Sequence, residues 1–179
     1  MYYQLRWYTT CLKIRRLMPS QMFKSHGEKF DLARFFTRTI HSTSMAPALA
    51  WPELVDLSAR RFLLDIGGGS AAHSIGAALK WPRLGAIVLD TAPVCEVAAE
   101  FIAERQLQER VRTHVVDMWT DPFPSADVHF YSFIYHDWTP EKCRSSQKRA
   151  SKVFLRVGKF LFTKCSTTTT RVAPSRSWQ

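Results

Sequence analysis

The feature that most limits the fold of this chain is a series of four short apolar runs separated by stretches with helical spacing. The runs have the length of buried strands, and they are residues 61–66, 86–89, 111–116 and 128–135. Helical spacing of apolar residues over 71–81 and 94–107 separates the first three runs. This alternation predicts an α/β fold with a Rossmann-like parallel sheet flanked by helices.

Acidic and polar residues follow each predicted strand. In parallel α/β sheets, ligands bind beyond the carboxyl ends of the strands, so these positions are the candidates for a site. The candidate residues are Asp65, Gly67, Gly68, Gly69, Asp90, Asp117, Met118, His136 and Trp138.

The segment LLDIGGGSAA combines a carboxylate with three glycines between a strand and a helix. Glycines there let the backbone approach a ligand closely, beside free N–H groups of the helix. Gly67, Gly69 and Ala72 also satisfy the G-x-G-x-x-A fingerprint of dinucleotide sites, so an NAD(P)-dependent oxidoreductase is an alternative. Asp65 would repel a pyrophosphate but attract the sulfonium and amino groups of S-adenosylmethionine, unless its carboxylate only caps the next helix.

The later strand ends fit the same methyl donor. Asp90 is placed to bind ribose hydroxyls, which both cofactors allow. Asp117 offers an acceptor for the adenine amino group, and the Met118 thioether can pack on the ring. A pyrophosphate cofactor does not require so many carboxylates, so the series favours S-adenosylmethionine.

The segments LLDIGGG, VLDTAPV and VVDMWTDPFPSADVHFYSFIYHDWTPEKC resemble the class I, S-adenosylmethionine-dependent O-methyltransferases of plants and bacteria that act on caffeate, hydroxyindoles and related small molecules. The resemblance covers about residues 34–144. It implies methyl transfer to a hydroxyl of a small, phenolic or aromatic molecule, with the glycines, Asp90, Asp117 and Met118 at the cofactor. It also implies a homodimer, although most of the family's N-terminal dimerisation region is expected to be missing from this sequence. Two positions depart from the pattern: Ala71 replaces a third glycine, and Ser132 replaces a basic residue.

His136 would be the general base by this resemblance, and Trp138 a wall of the pocket. A phenol has a pKa of about 10, so a base must remove its proton, and a neutral imidazole with a pKa of about 6.5 can do so. Such a base contributes roughly 10²–10⁴-fold. The reaction needs no metal. One alternative is that His136 is a hydrogen-bonded structural histidine. Another is that the whole chain is a non-catalytic, methyltransferase-like binding module.

The C-terminal segment departs from the family. Residues 1–140 hold 15 basic and 14 acidic residues, whereas 141–179 hold ten basic residues and one acid. A shifted reading frame after about residue 144 would account for this, because the same bases read one position out of frame can encode the family's Gly-Gly turn and acidic strand end. The alternative is a genuine basic, disordered extension. We therefore predict an N-terminal helical remnant (1–45), a partial methyltransferase domain (46–144) and an aberrant basic tail (145–179), with an open sheet edge at the fourth strand and weak activity.

Charge and cysteines limit the partners and the compartment. The net charge of +10 belongs mainly to the tail, so we expect neither a nucleic-acid nor a membrane partner. Four scattered cysteines are typical of a reducing compartment, which predicts a cytoplasmic protein. The first 30 residues are basic and poor in acids, so a targeting segment is an alternative interpretation of this region.

Overall fold

A computed structural model of the chain describes residues 26–134, 141, 144–145, 154–163 and 171–173. His136 and Trp138 lie outside these residues. In chain order the elements are α1 (His26–Ala50), a 3-10 helix (Trp51–Leu54), β1 (Phe62–Ile66), α2 (Ala72–Lys80), β2 (Gly85–Asp90), α3 (Ala92–Glu104), β3 (Val111–Val115), β4 (Ala126–Ser132), β5 (Phe154–Thr163) and β6 (Arg171–Ala173).

The strands form one sheet in the order β3-β2-β1-β4-β5-β6. Strands β1 to β5 pair in parallel, and β6 pairs antiparallel to β5. The four predicted strands and the helices between the first three are present, so the α/β fold expected from the sequence is confirmed. None of the described helices is both long and apolar enough to span a membrane.

The fourth strand does not form the edge of the sheet, and the prediction of an open edge there was wrong. Strand β5 lies beside β4, with Val128 opposite Lys159 and Ser132 opposite Thr163. Its sequence, FLRVGKFLFT, contains enough apolar residues for a strand although two basic residues interrupt it. Pairing satisfies the N–H and C=O groups that β4 would otherwise leave unpaired, which outweighs the basic composition.

A proline inside a helical pattern predicts a break, yet helix α1 continues through Pro47 and ends at Ala50. Pro47 lies in the last turn, where the helix loses one backbone hydrogen bond but few residues follow. The helix crosses residue 45 and packs against α2 so closely that a Cβ at Gly76 would overlap the carbonyl oxygen of Ala48. This contact with α2 supports the last turn of α1.

Apolar side chains cover both faces of the sheet. On the face covered by α1 and α2, Trp51, Ile75 and Phe130 belong to one buried cluster. On the opposite face, Leu64 and Tyr131 belong to a second cluster. Strands β1 and β4 are therefore buried on both faces, as the central strands of a parallel sheet require.

Two charged side chains satisfy backbone groups near the amino ends of the strands. Asp127 Oδ2 accepts hydrogen bonds from the backbone N–H of Arg61 at 2.7 Å and of Phe62 at 2.9 Å. Arg110 Nη1 donates to three carbonyl oxygens at the end of α2 and in the turn to β2, those of Ala78, Trp81 and Leu84, at 2.8, 3.3 and 3.4 Å. This end of the sheet is held by polar contacts within the protein.

Candidate functional site

A cavity of about 470 Å³ lies at the carboxyl ends of the first three strands. Its volume is within the range of roughly 300–1,000 Å³ that is typical of small-molecule sites. The residues lining it are Gly67, Leu89, Asp90, Thr91, Ala92, Val115, Val116, Asp117 and Met118. The fold thus brings together four of the candidates from three separate strand ends: Gly67, Asp90, Asp117 and Met118.

The segment between β1 and α2 is a glycine loop, residues 67–71, in which three residues adopt left-handed backbone conformations. Gly67 has φ +65°, Gly69 has φ +56°, and Ala71 has φ +65°. Glycine adopts such angles freely, whereas an L-residue with a Cβ loses roughly 1–2 kcal/mol there. Ala71 therefore takes the backbone conformation that suits the glycine of the family pattern.

The two later glycines of the predicted set have different surroundings. A Cβ at Gly68 would lie 2.7 Å from Asp65 Cγ and 2.8 Å from Val88 Cγ1, so this glycine permits close packing inside the fold. A Cβ at Gly69 would meet no atom within 4 Å, because this position faces open space. Gly68 therefore serves the packing of the loop, and Gly69 leaves room beside it.

Asp90 connects the glycine loop with α3. Its Oδ2 accepts a hydrogen bond from Gly69 N–H at 3.0 Å, and its Oδ1 accepts one from Thr91 N–H at 2.8 Å. Burial raises the pKa of Asp90 above its ordinary value, and these two hydrogen bonds oppose the rise. Gly67 N–H donates to the carbonyl oxygen of Leu89 at 2.8 Å, so the end of β2 holds the loop at two points.

Asp65 is fully buried and does not line the cavity. Its Oδ2 accepts a hydrogen bond at 2.7 Å from the hydroxyl of Ser74, in the first turn of α2. Its Oδ1 is buried and has no hydrogen-bond partner among the described residues. The pKa of Asp65 is raised to about 7, mainly by burial and to a smaller extent by the nearby Asp90, while the hydrogen bonds from Ser74 oppose the rise. This placement corresponds to the helix-capping alternative, and a contact with a cofactor stays a prediction.

Asp117 and Met118 form the far side of the cavity. Asp117 Oδ1 accepts a hydrogen bond from Trp119 N–H at 2.8 Å, and Asp117 N–H donates to Asp121 Oδ2 at 2.8 Å. These two bonds fix a tight turn directly after β3. The half-buried Met118 packs against the second apolar cluster, so its side chain also has a defined position.

Two histidines outside the predicted set of site residues lie next to the glycine loop. His41 Nδ1 of α1 is 2.9 Å from the hydroxyl oxygen of Ser70. His73 Nε2 of α2 is 3.0 Å from Ser132 Oγ at the end of β4, where the family often has a basic residue. Burial lowers the pKa of His73 to about 4, so its ring is neutral at pH 7. Each pair is far apart in sequence, and no local pattern would have indicated it.

Comparisons with known proteins bear on this arrangement. The chain is 38% identical over 91 residues to 3-hydroxy-5-methyl-1-naphthoate 3-O-methyltransferase of Streptomyces sahachiroi, covering 50% of this chain and 26% of that protein. It is 33% identical over 118 residues to the N,N-dimethyltransferase OxyT of Streptomyces rimosus, covering 66% and 34%. The chain therefore spans only about a quarter to a third of these relatives.

Similarity extends to solved structures and to a family model. The crystal structure of an O-methyltransferase family 2 protein from Planctomyces limnophilus in complex with apigenin superposes with a TM-score of 0.66 at 29% identity, covering 73% of this chain and 42% of that one. The model of the O-methyltransferase domain matches residues 14–177. That match includes most of the segment expected to be out of frame, so the frame shift stays a prediction that the coding DNA can test. Because the family model matches nearly the whole sequence, the chain belongs to the O-methyltransferase domain family.

Proposed function

We propose that this chain forms the cofactor-binding part of an S-adenosylmethionine-dependent methyltransferase that methylates a hydroxyl of a small aromatic molecule. The observation that carries the proposal is the cavity at three adjacent strand ends, which has carboxylates at two of them, Asp90 and Asp117. S-adenosylmethionine, when bound, supplies a methyl group activated by a positively charged sulfur. The proposed acceptor is a small aromatic hydroxyl compound. One relative is named for a hydroxynaphthoate, and a similar protein was crystallised with apigenin.

The lining of the cavity suits a cationic ligand that carries an adenosine. Its charged members, Asp90 and Asp117, are both acidic, so a positive ligand is attracted. Asp90 and Asp117 can accept hydrogen bonds from hydroxyl and amino groups, and the thioether of Met118 offers an apolar surface to a flat ring. Gly67 also lines the cavity, and its missing Cβ leaves room for the side chain of Ile134.

A dinucleotide suits the same surroundings poorly. A pyrophosphate needs free N–H donors at the glycine loop and the helix N-terminus. Here Asp90 already accepts the Gly69 N–H, and Asp65 accepts the Ser74 hydroxyl close to the same helix end. The Asp90 carboxylate, which lines the cavity, would also repel a phosphate, so the NAD(P)-dependent alternative is disfavoured.

His136 is the general base of this proposal. It follows β4 in the chain, and an imidazole with an ordinary pKa is mostly neutral at pH 7 and can accept the proton of a phenol. His136→Ala is then expected to abolish transfer of a labelled methyl group while cofactor affinity is retained. Unchanged transfer would exclude this role, and binding without transfer in the unsubstituted chain would indicate a binding module without catalysis.

Calorimetric titration of the full chain with S-adenosylhomocysteine and, separately, with NAD tests the cofactor. We expect only the first to bind, and Asp90→Asn to weaken it roughly 10- to 100-fold, the equivalent of one charge-assisted hydrogen bond. Asp127→Asn is the matched control, because Asp127 also accepts two backbone N–H groups but lies at the opposite end of the strands. Preference for NAD, or equal affinities of the two variants, would contradict the proposal.

We also expect the protein to be cytoplasmic and homodimeric, on the grounds of its scattered cysteines and of the family resemblance. Light scattering on the purified protein tests the dimer, and cell fractionation tests the compartment. A monomer at micromolar concentration would contradict the first expectation, and recovery in an organelle fraction would contradict the second.

A further inference from the structure

Helix α1 is fixed to α3 by a set of ion pairs. Arg34 Nη1 is 2.5 Å from Glu96 Oε2, and Arg34 Nη2 is 3.2 Å from Glu100 Oε1. Arg38 also pairs with Glu100. Helix α3 begins directly after Asp90 and Thr91, which line the cavity, so α1 is held against an element of the candidate site.

His41 continues this contact as far as the glycine loop. Its ring stacks on Phe101 of α3, with centroids 3.6 Å apart and planes inclined by 4°. Its Nδ1 is 2.9 Å from Ser70 Oγ. Burial and the positive charge of Arg105 lower the pKa of His41, whereas Glu104 raises it. One side chain of α1 therefore touches both α3 and the loop.

Ser70 occupies a sensitive place in the loop. It lies between Gly69 and Ala71, both left-handed, and only 5% of its surface is exposed. A loop that holds left-handed residues on both sides of one position needs outside contacts to stay in a single conformation. The contact with His41 provides one from a helix that precedes the sheet in the chain.

We propose that His41 is a positioning residue for the cofactor, which holds the glycine loop in its binding conformation through Ser70. This inference rests on the proposed function. Because coupling between two equilibria is reciprocal, a bound cofactor should also stabilise the docking of α1. Helix α1 is then part of the cofactor site although none of its residues lines the cavity.

A double-mutant cycle on S-adenosylhomocysteine affinity tests the proposal. His41→Phe keeps an aromatic ring for Phe101 but cannot bond Ser70, and Ser70→Ala removes the other partner. We expect each to weaken binding about fivefold, in line with one neutral hydrogen bond, and the double variant to bind no more weakly than either single variant. Ser70→Thr, which keeps the hydroxyl, should stay within about twofold of the unsubstituted chain, because the bond remains available.

Ser42→Ala is the matched control, since Ser42 is the exposed neighbour of His41 on the same helix and its hydroxyl donates to the carbonyl oxygen of Thr39 in that helix. Its affinity should be unchanged. Additive losses in the double variant, no loss in His41→Phe, or a loss in Ser70→Thr as large as in Ser70→Ala would overturn the proposal. If the unsubstituted chain does not bind the ligand at all, the proposed function fails instead.

Hydrogen exchange supplies a second measurement. If the contact between His41 and Ser70 were purely structural, adding the ligand would not change amide exchange in α1. Adding S-adenosylhomocysteine should slow amide exchange in α1 of the unsubstituted chain. In His41→Phe, the ligand at saturating concentration should leave exchange in α1 nearly unchanged while still protecting the loop. Equal protection of α1 in both proteins would overturn the reciprocal coupling.

Discussion

The two ends of the sheet differ in backbone strain and in how their polar groups are satisfied. At the amino end, Asp127 and Arg110 satisfy five backbone groups, and the chain gains stability there. At the carboxyl end, Gly67, Gly69 and Ala71 hold left-handed angles, and the buried Asp65 and the half-buried Asp90 have raised pKa values. Strain and buried charge thus collect at the end where parallel sheets bind ligands. The difference indicates that the carboxyl end gives up stability for binding.

The amino end should carry the largest effect on stability. Replacing Arg110 by Met removes one charged donor from three carbonyl oxygens, so we expect the free energy of unfolding to fall by about 2–3 kcal/mol. Urea unfolding measures this change. Arg110→Lys keeps a charged donor and should lose less. Cofactor affinity at temperatures where the variant is folded should not change, and a large loss of affinity would break the division between the two ends.

At the carboxyl end, Asp65 should make stability depend on pH. Its folded pKa of about 7 lies above the unfolded value of 3.8, so the folded state binds more protons and stability falls as pH rises from about 4 to about 7. Asp65→Asn removes this loss. The unfolding free energy of Asp65→Asn minus that of the unsubstituted chain should increase by about 2 kcal/mol between about pH 5.5 and about pH 7.5.

The buried histidines change stability with pH in the opposite direction. The effect of Asp65 is therefore measured as the difference between the unsubstituted chain and Asp65→Asn. His73 and His129 have pKa values lowered to about 4, so stability falls when the pH drops from about 6.5 towards about 4. Both proteins contain them, and their effect cancels in the difference between the two urea titrations. A difference that does not vary with pH would show that the pKa of Asp65 is not raised into this range.

The smallest expected change in stability concerns Gly69. Gly69→Ala places a Cβ at φ +56°, which should cost about 1–2 kcal/mol, and the methyl group enters open space beside the cavity. We expect S-adenosylhomocysteine binding to weaken at least tenfold, a loss of about 1.4 kcal/mol in binding free energy.

Gly85→Ala is the control from the amino end. Its Cβ would lie 3.3 Å from the carbonyl oxygen of Arg110 and no positive φ is involved, so a modest loss of stability and an unchanged affinity are expected. Thermal unfolding and calorimetry on both variants measure the two effects. Equal losses of affinity would show that the loop glycine has no special relation to the ligand.

The sequence predicted the central fold because its signals are local. The runs that became β1 and β2 are short and apolar and end in acids, and the helices between strands show their spacing within ten residues or so. Since parallel strands align their carboxyl ends, the same signals predicted that Gly67, Asp90 and Met118 would meet, and the cavity contains all three. These predictions needed only the direction of the chain.

The errors came from places where distant contacts decide. A break near Pro47 is a sound local expectation, but packing against Gly76 supports the end of the helix. Strand β5 was not predicted because its segment is rich in basic residues. It forms by pairing with the backbone N–H and C=O groups of β4.

The sequence by itself determined the order of strands and helices and which side chains stand at the strand ends, because periodicity and chain direction are properties of neighbouring residues. Only the tertiary structure decided that Asp65 turns inward to Ser74, that Asp90 accepts the Gly69 N–H, and that His41 reaches Ser70. Those choices depend on the competition among buried polar groups for a few partners, and such a competition is settled only when all the elements have packed together.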